Sequence, residues 1–291
     1  MIFTGCGVAI TTSFTPKGTI CFDAMAKHIE YLIDNKTDAI IVCGTTGESA
    51  TLSLDEKILL SQFVVDRVAG RIPVIAGSGG NCTATAIQTT KALAKTGVSG
   101  FMVVTPYYNK ATQAGLVQHF TQIAGCTDLP VILYNVPSRT HVNLLPATVA
   151  VLAEVPNIVG IKEASGDISQ ISEVFAQCPK DFAVYCGNDD QVLPMVALGA
   201  VGAISVVANL VPDKIHDIVT HYATDPAKSV EIQLNLLTLI QAMFIEINPI
   251  PVKYAMVQLT LGTPYLRMPL TPLSEKNKPQ VDAVLEKYDL L

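Results

Sequence analysis

The feature of this sequence that most restricts its fold is the regular alternation of short apolar runs with longer helical patterns. Eight runs of four or five residues are each followed by a stretch with the spacing of an amphipathic helix. Such runs are typical of parallel strands that are buried on both faces. Eight strand-helix units predict an α/β fold, the closed (β/α)8 TIM barrel. The predicted strands are residues 8–11, 39–43, 73–76, 101–104, 131–134, 158–162, 183–186 and 203–207.

The segments between these runs, and the last quarter of the chain, carry helical signals. Ser53 and Glu56 form a predicted capping box, in which both side chains bond to free backbone N–H groups of the first turn. After about residue 225 no strand signal follows, so we predict a barrel over residues 1–224 and a C-terminal helical extension over 225–291. The other predicted helices include 83–96, 112–125, 146–155, 168–177, 190–198, 212–222, 231–244, 252–261 and 280–288.

Composition excludes several classes of protein. The net charge is −6, charged residues make up only 15% of the chain, and Lys and Arg form no cluster, which argues against a nucleic-acid partner. Residues 192–211 hold no charge, but Pro194 and Gly199 interrupt them, which favours a short buried helix and a strand over a membrane span. Seven cysteines without a C-x-x-C pair, and no secretory signal pattern, predict a reduced protein of the cytoplasm.

The strongest local signal for chemistry is Lys162, at the end of an apolar predicted strand. Reactive groups of such barrels lie at the C-terminal ends of the strands. A desolvated lysine loses its proton easily, and the neutral amine attacks a carbonyl to form a Schiff base. The alternative is a structural ion pair with Glu163 or Asp189. Lys253, on a predicted helix, is a weaker candidate for the same nucleophile.

Three other strand-end loops carry polar groups. Thr45 and Thr46, between glycines, offer hydroxyls and backbone N–H groups to a carboxylate or phosphate, although an ordinary Gly-rich turn has the same pattern. Tyr108 and Tyr134 add phenols, which at strand ends are often core residues. Arg139, after a Pro-Ser turn, suits bidentate binding of a carboxylate or, alternatively, a surface salt bridge.

Metal, thiol and nucleotide chemistry have no support in the pattern. The five histidines lack H-x-x-x-H or H-x-H spacing, so no metal site is predicted. Cys43 and Cys186 lie at predicted strand ends without an activating neighbour in the sequence, which favours packing roles. The Gly-rich segment 77–80 matches neither the Walker nor the Rossmann spacing.

Five ordered motifs resemble the dihydrodipicolinate synthase and N-acetylneuraminate lyase family over essentially the whole chain. They are GTTGE at 44–48, TPYYN at 105–109, YNVPSR at 134–139, GIKEA at 160–164 and NPIPVK at 248–253. Within the family, Tyr108 and Arg139 look like the synthase branch, because the sialic-acid lyases usually lack this arginine.

The resemblance implies a reaction and a role for each site residue. Lys162 would form an imine with pyruvate without any cofactor, and the derived enamine would attack L-aspartate 4-semialdehyde in the first committed step of diaminopimelate and lysine biosynthesis. The family is usually a dimer of dimers, so a homo-oligomer is expected. By the same resemblance Tyr134, Thr45 and Tyr108 of a neighbouring subunit form a proton relay, Thr46 holds the pyruvate carboxylate, Arg139 holds the semialdehyde carboxylate, and Gly187 and Ile204 line the pyruvate pocket.

The positions that bind the feedback inhibitor lysine in some family members are altered here. Leu54, Lys57 and Thr85 stand at those positions, where the family uses residues that include His and Glu, whereas Ser49, Asn81 and Tyr107 are kept. A lost acid and an added cation predict weak or absent inhibition by lysine. Two other functions stay open: a related aldolase acting on sialic acid or a 2-keto-3-deoxy sugar acid, and a barrel without catalysis that only binds a ligand.

Overall fold

The computed structural model describes all 291 residues and contains a closed barrel of eight parallel strands. Each strand pairs with the next in sequence, and the eighth pairs with the first, so the predicted fold class is confirmed. The strands are β1 Gly5–Ala9, β2 Ala39–Val42, β3 Val74–Gly77, β4 Gly100–Val104, β5 Val131–Asn135, β6 Ile158–Glu163, β7 Ala183–Cys186 and β8 Gly202–Ser205.

Twelve α-helices surround and extend this barrel. The predicted capping box is confirmed, since Ser53 Oγ accepts from the Glu56 N–H at 3.2 Å and the Glu56 carboxylate accepts from the Ser53 N–H at 2.9 Å. The helices are α1 Phe22–Asp34, α2 Leu54–Val68, α3 Thr83–Leu93, α4 Gln113–Ala124, α5 Pro137–Thr140, α6 Pro146–Ala153, α7 Ile168–Gln177, α8 Val192–Leu198, α9 Pro212–His221, α10 Pro226–Met243, α11 Ile250–Gln258 and α12 Lys278–Lys287.

The first and the last predicted strand are displaced from the observed ones. The first prediction, 8–11, is wrong in its bounds, because β1 begins with the Gly-Cys-Gly segment at 5–7, and glycine gives no apolar signal. The prediction 203–207 is too long at its end. There the backbone N–H groups of Val206 and Val207 donate to the Asp189 carboxylate, at 3.1 and 2.9 Å, instead of continuing the ladder.

The largest differences among the helices concern α10 and α5, whereas the other helices begin and end within three residues of the predicted bounds. Helix α10 begins five residues before the predicted 231, at Pro226, because the Asp225 carboxylate caps it by accepting from the Lys228 N–H at 3.0 Å. The four-residue helix α5 has no counterpart among the predicted helices, since one turn is too short to show a period.

Two apolar layers fill the molecule. The inner cluster, of 13 buried residues, occupies the barrel interior, whereas the outer cluster, of 65, joins the strands to the helices. Leu239 of α10 and Val252 of α11 belong to the outer cluster, so the C-terminal helices share a core with the barrel. The domain boundary at residue 225 stays a prediction.

The uncharged stretch 192–211 forms helix α8 and strand β8, as predicted. None of the helices combines the length and the apolar character that crossing a bilayer requires.

Candidate active site

Lys162 lies inside the barrel, in a row of residues that three neighbouring strands bring level. On β5 its register partner is Tyr134, and on β7 it is Tyr185. The lysine is only 5% exposed, and its Nζ lies 4.4 Å from the centre of the Tyr134 ring. A cation at this distance from an aromatic face is stabilised by the ring's quadrupole. Tyr134 and Tyr185 both belong to the inner cluster.

The ion-pair alternative for Lys162 is wrong. Lys162 is absent from all ten ion pairs of the molecule. The Glu163 carboxylate accepts from the Asn135 amide at 3.1 Å and from the Ser165 N–H at 2.7 Å. Asp189 is occupied by the backbone donors of β8's end described above. Burial raises the pKa of both carboxyl groups.

Gly187, which follows strand β7, borders the same lysine, and Ile204 lies inside the barrel on β8. A Cβ placed on Gly187 would lie 3.0 Å from the Lys162 Cε and 2.7 Å from the Ala164 Cβ. Only a residue without a side chain therefore leaves room for the lysine stem at this point. Ile204, fully buried on β8, is part of the inner cluster together with Tyr134.

Lys253, the weaker candidate, is a structural residue. Its Nζ lies 2.6 Å from Glu48 Oε1 and donates to the carbonyls of Thr12 and Tyr265 at 2.9 and 2.7 Å. All three ammonium donors have partners, and the nitrogen also lies 4.7 Å from the Phe14 ring centre. This amine is thus committed to hydrogen bonds that a carbonyl substrate would have to break.

A cavity of about 410 Å³ opens at the C-terminal ends of the strands. Thr45, Tyr134 and Arg139 contribute to its wall, which brings together residues from the predicted loops after the second and the fifth strand. Lys162 is not itself part of the lining but contacts it through Tyr134. The wall holds a hydroxyl, a phenol and a guanidinium above a buried amine, a set suited to binding and protonating a small oxoacid.

Arg139 is presented to this cavity by α5, and it forms no salt bridge. Its side chain is exposed, and its one hydrogen bond is donated from Nη2 to the Asn248 carbonyl at 3.4 Å. The guanidinium therefore keeps most of its donors free for a ligand. The surface salt bridge that the sequence left open is not formed.

Thr46 lies deeper than Thr45 and is only 2% exposed. Its Oγ1 accepts a hydrogen bond from the Asn248 amide at 3.0 Å. Asn248 belongs to the NPIPVK motif, where the sequence shows only a Pro-rich break before a helix and nothing that identifies a site residue. No local signal connects residue 248 with residue 46, which the fold brings together.

Tyr108 does not lie in the cavity of its own chain. It is 92% exposed and has a φ of 72°, a left-handed backbone conformation that residues other than glycine rarely adopt. Thr45 and Tyr134 are therefore together in the wall, while the third member of the predicted relay, the Tyr108 phenol, projects away from the surface.

The positions related to lysine inhibition are distributed between the cavity and its surroundings. Ser49, Lys57 and Tyr107 line the cavity. The Lys57 cation, which replaces a neutral or acidic residue of the lysine-inhibited family members, therefore faces the cavity. Burial lowers the pKa of the Lys57 ammonium. Leu54 and Asn81 are half-buried, and Thr85 is exposed.

The two strand-end thiols, Cys43 and Cys186, are buried. Burial raises the pKa of the Cys43 thiol to about 11 and also raises that of Cys186, so both are poor nucleophiles. All seven cysteines are unpaired. No group of three or more His, Cys, Asp or Glu side chains converges as a metal site.

Known proteins resemble the chain along its whole length. The model of the dihydrodipicolinate synthetase family matches residues 2–288. A 4-hydroxy-tetrahydrodipicolinate synthase of Caldicellulosiruptor saccharolyticus is 47% identical over 290 residues, which cover 99% of this chain and 98% of the relative. The crystal structures of dihydrodipicolinate synthases from Aquifex aeolicus and Thermotoga maritima superpose with TM-scores of 0.97 and 0.98. They are 43% and 41% identical, with 99% of both chains covered in the first case and 100% in the second.

Proposed function

Because the chain belongs to the dihydrodipicolinate synthetase family, we propose that Lys162 is the nucleophile with which it condenses pyruvate and L-aspartate 4-semialdehyde to 4-hydroxy-tetrahydrodipicolinate. The observation that carries this proposal is the buried amine of Lys162, which has no carboxylate partner and lies 4.4 Å from the Tyr134 ring centre. Because no ion pair or hydrogen bond has to be broken first, this amine is available to attack a carbonyl carbon.

The reaction follows from the chemistry of that amine. The Lys162 nitrogen attacks the keto carbon of pyruvate and water leaves, which gives an imine. Loss of a methyl proton then forms an enamine, whose carbon makes a bond to the aldehyde carbon of the semialdehyde. Finally the substrate amine attacks the imine carbon, and the bond to Lys162 breaks as the ring closes. The imine is the electron sink, so no cofactor is required.

Each of these steps moves a proton, and the proposed relay is Tyr134, Thr45 and Tyr108. The first two are supported by their common place in the cavity wall, next to the Lys162 amine. Tyr108 is supported by its 92% exposure, which leaves the phenol free to enter the cavity of a neighbouring subunit. A chain of hydroxyls lets a buried site exchange protons with solvent. The proposal thus includes a homo-oligomer, in the family's usual arrangement a dimer of dimers.

Two groups are proposed to hold the two substrate carboxylates. Thr46 would donate its hydroxyl to pyruvate, in a pocket that would be lined by Gly187, which borders Lys162, and by Ile204 of the inner cluster. Arg139 would bind the semialdehyde carboxylate, since its guanidinium faces the cavity without an ion pair. A cytoplasmic location is also part of the proposal and is supported by seven unpaired cysteines.

The test is reduction with borohydride in the presence of pyruvate, followed by mass spectrometry of the intact protein and its peptides. We expect a reduced pyruvyl adduct on Lys162 that is lost when the semialdehyde is added before the reductant. Lys162→Ala should abolish the adduct, whereas Lys253→Met should keep it. An adduct that the semialdehyde does not remove would favour a sialic-acid or keto-deoxy sugar acid aldolase, and no adduct would favour a binding protein.

A further inference from the structure

We propose that the side chain of Asn248 is a positioning residue, which aims the Thr46 hydroxyl at the carboxylate of pyruvate. The inference rests on the proposed function and adds a residue to it. Asn248 precedes α11, some two hundred residues after the GTTGE loop, and its side chain meets Thr46 in a buried hydrogen bond. Asn248 lines the cavity, and the only hydrogen bond of its side chain goes to Thr46, so its effect on the reaction is assigned to that hydroxyl.

The direction of this hydrogen bond sets the direction of the hydroxyl. The amide nitrogen of Asn248 carries the hydrogen and donates it to Thr46 Oγ1 at 3.0 Å. Because the oxygen is the acceptor, the hydroxyl's own hydrogen must point elsewhere, and it has no other acceptor within the protein. Thr46 is 2% exposed, so water does not compete for that hydrogen. A donor held in this way suits a substrate carboxylate, which only accepts hydrogen bonds.

The other polar atoms of Asn248 indicate that the residue is held there for more than packing. Asn248 is 5% exposed, yet its Oδ1 is buried without any hydrogen-bond partner. An unpaired buried acceptor costs stability, and in native proteins it calls for an explanation. An apolar side chain of the same shape would avoid that cost but would lose the donor to Thr46. The backbone carbonyl of the same residue accepts from Arg139 at 3.4 Å.

In this arrangement the side chain of Asn248 affects the binding of pyruvate, whereas its backbone carbonyl contacts the residue proposed to bind the semialdehyde. Removing the side chain leaves the carbonyl in place, and with it the contact to Arg139, which is proposed to hold the semialdehyde. We therefore expect Asn248→Ala to raise the KM for pyruvate about tenfold, the effect of losing one hydrogen bond to a charged group. The KM for the semialdehyde should change by about twofold at most, within the variation of such measurements.

A double-mutant cycle with Thr46→Val separates positioning from packing. If Asn248 acts through the Thr46 hydroxyl, Asn248→Ala should add nothing to the pyruvate KM once that hydroxyl is gone. The inference would be overturned if the two substitutions raised the pyruvate KM independently, so that their effects multiplied. It would also be overturned if Asn248→Ala raised the KM values of both substrates equally. Asn248→Asp is the second variant if the alanine variant does not fold. Its carboxylate accepts from Thr46 and turns the hydroxyl away from pyruvate, so its pyruvate KM should rise as well, and an unchanged value would contradict the proposal.

Asn157→Ala is the matched control, because the amide of Asn157 donates to the carbonyls of Ala124, Thr127 and Leu129, outside the cavity. This variant should lower the thermal stability and leave both KM values unchanged. Borohydride trapping at saturating pyruvate distinguishes the two proposals. No adduct in the unmodified protein would overturn the proposed function, whereas an adduct together with an unchanged pyruvate KM in Asn248→Ala would overturn only the role of Asn248.

Discussion

Lys162 on β6 and Tyr134 on β5 are register partners, and the Lys162 Nζ lies 4.4 Å from the centre of the Tyr134 ring. Two adjacent parallel strands thus hold the amine and the phenol level, on the inner face of the barrel. Because strands are more rigid than loops, the distance between these groups is determined by the backbone ladder.

Gly187→Ala should lower kcat while the barrel still folds. The new methyl group would lie 3.0 Å from the Lys162 Cε, so the lysine stem must move away from its position beside Tyr134. The stem must give by a few tenths of an ångström, less than the displacement of about 1 Å that costs about a hundredfold, so we expect kcat to fall on the order of tenfold. Steady-state kinetics and the yield of the borohydride adduct measure it. Gly80→Ala is the matched control, since a Cβ there meets nothing within 4 Å, and equal rates in both variants would contradict the prediction.

Arg139→Lys should lower kcat/KM for the semialdehyde about tenfold or more. The ammonium keeps the charge but loses the forked geometry that binds a carboxylate through two hydrogen bonds. The KM for pyruvate should change little. Arg67→Lys, on the surface beside Glu30, controls for the loss of a guanidinium elsewhere. An unchanged kcat/KM for the semialdehyde would remove Arg139 from the site.

Lysine should inhibit the enzyme weakly or not at all at millimolar concentration. Lys57 adds a cation to a wall that also holds Ser49 and Tyr107, and a second cation is repelled there. Thr85 supplies no negative charge in compensation. Steady-state rates with increasing lysine test the prediction. Strong inhibition would refute it, and Lys57→His combined with Thr85→Glu should increase sensitivity.

Lys253→Met should destabilise the protein by about 3–5 kcal/mol, because it leaves the buried carboxylate of Glu48 without its cation. Adding Glu48→Gln should recover part of that loss, since the unpaired charge is then absent. Denaturant unfolding measures both variants. A single variant as stable as the unmodified protein would show that this ion pair makes no net contribution.

The free energy of unfolding should decrease on acidification, in part through His28. Burial lowers the pKa of its imidazole from 6.5 to about 4. Below pH 6.5 the unfolded chain binds a proton that the folded protein does not, so the folded state loses stability as the pH falls towards 4. Between pH 7 and pH 5 this single group accounts for about 2 kcal/mol.

His28→Gln removes the titrating group and keeps a donor for the Asn209 carbonyl, which lies 3.1 Å from Nε2. Its free energy of unfolding should decrease less between pH 7 and pH 5 than that of the unmodified protein. Comparing the two slopes cancels the contribution of all other titrating groups. Parallel slopes would show that His28 does not titrate as expected.

The sequence was sufficient for the eight strands and for the barrel that they form. All eight strands were predicted, because a parallel strand buried on both faces is apolar at nearly every position. The exceptions have local causes: Gly5 and Gly7 carry no side chain, and the backbone after Ser205 bonds to Asp189 instead of to a neighbouring strand.

The contacts between residues far apart in the chain needed the fold itself. From the sequence alone, Lys162 could be either a nucleophile or one partner of an ion pair. Only the structure shows that Glu163 and Asp189 accept hydrogen bonds from other donors. The sequence could not connect Asn248 with Thr46, or Lys253 with Glu48, because each pair is about two hundred residues apart. Periodicity reports which way a side chain faces along its own strand or helix, whereas hydrogen-bond partners are determined by the packing of distant segments around a common barrel.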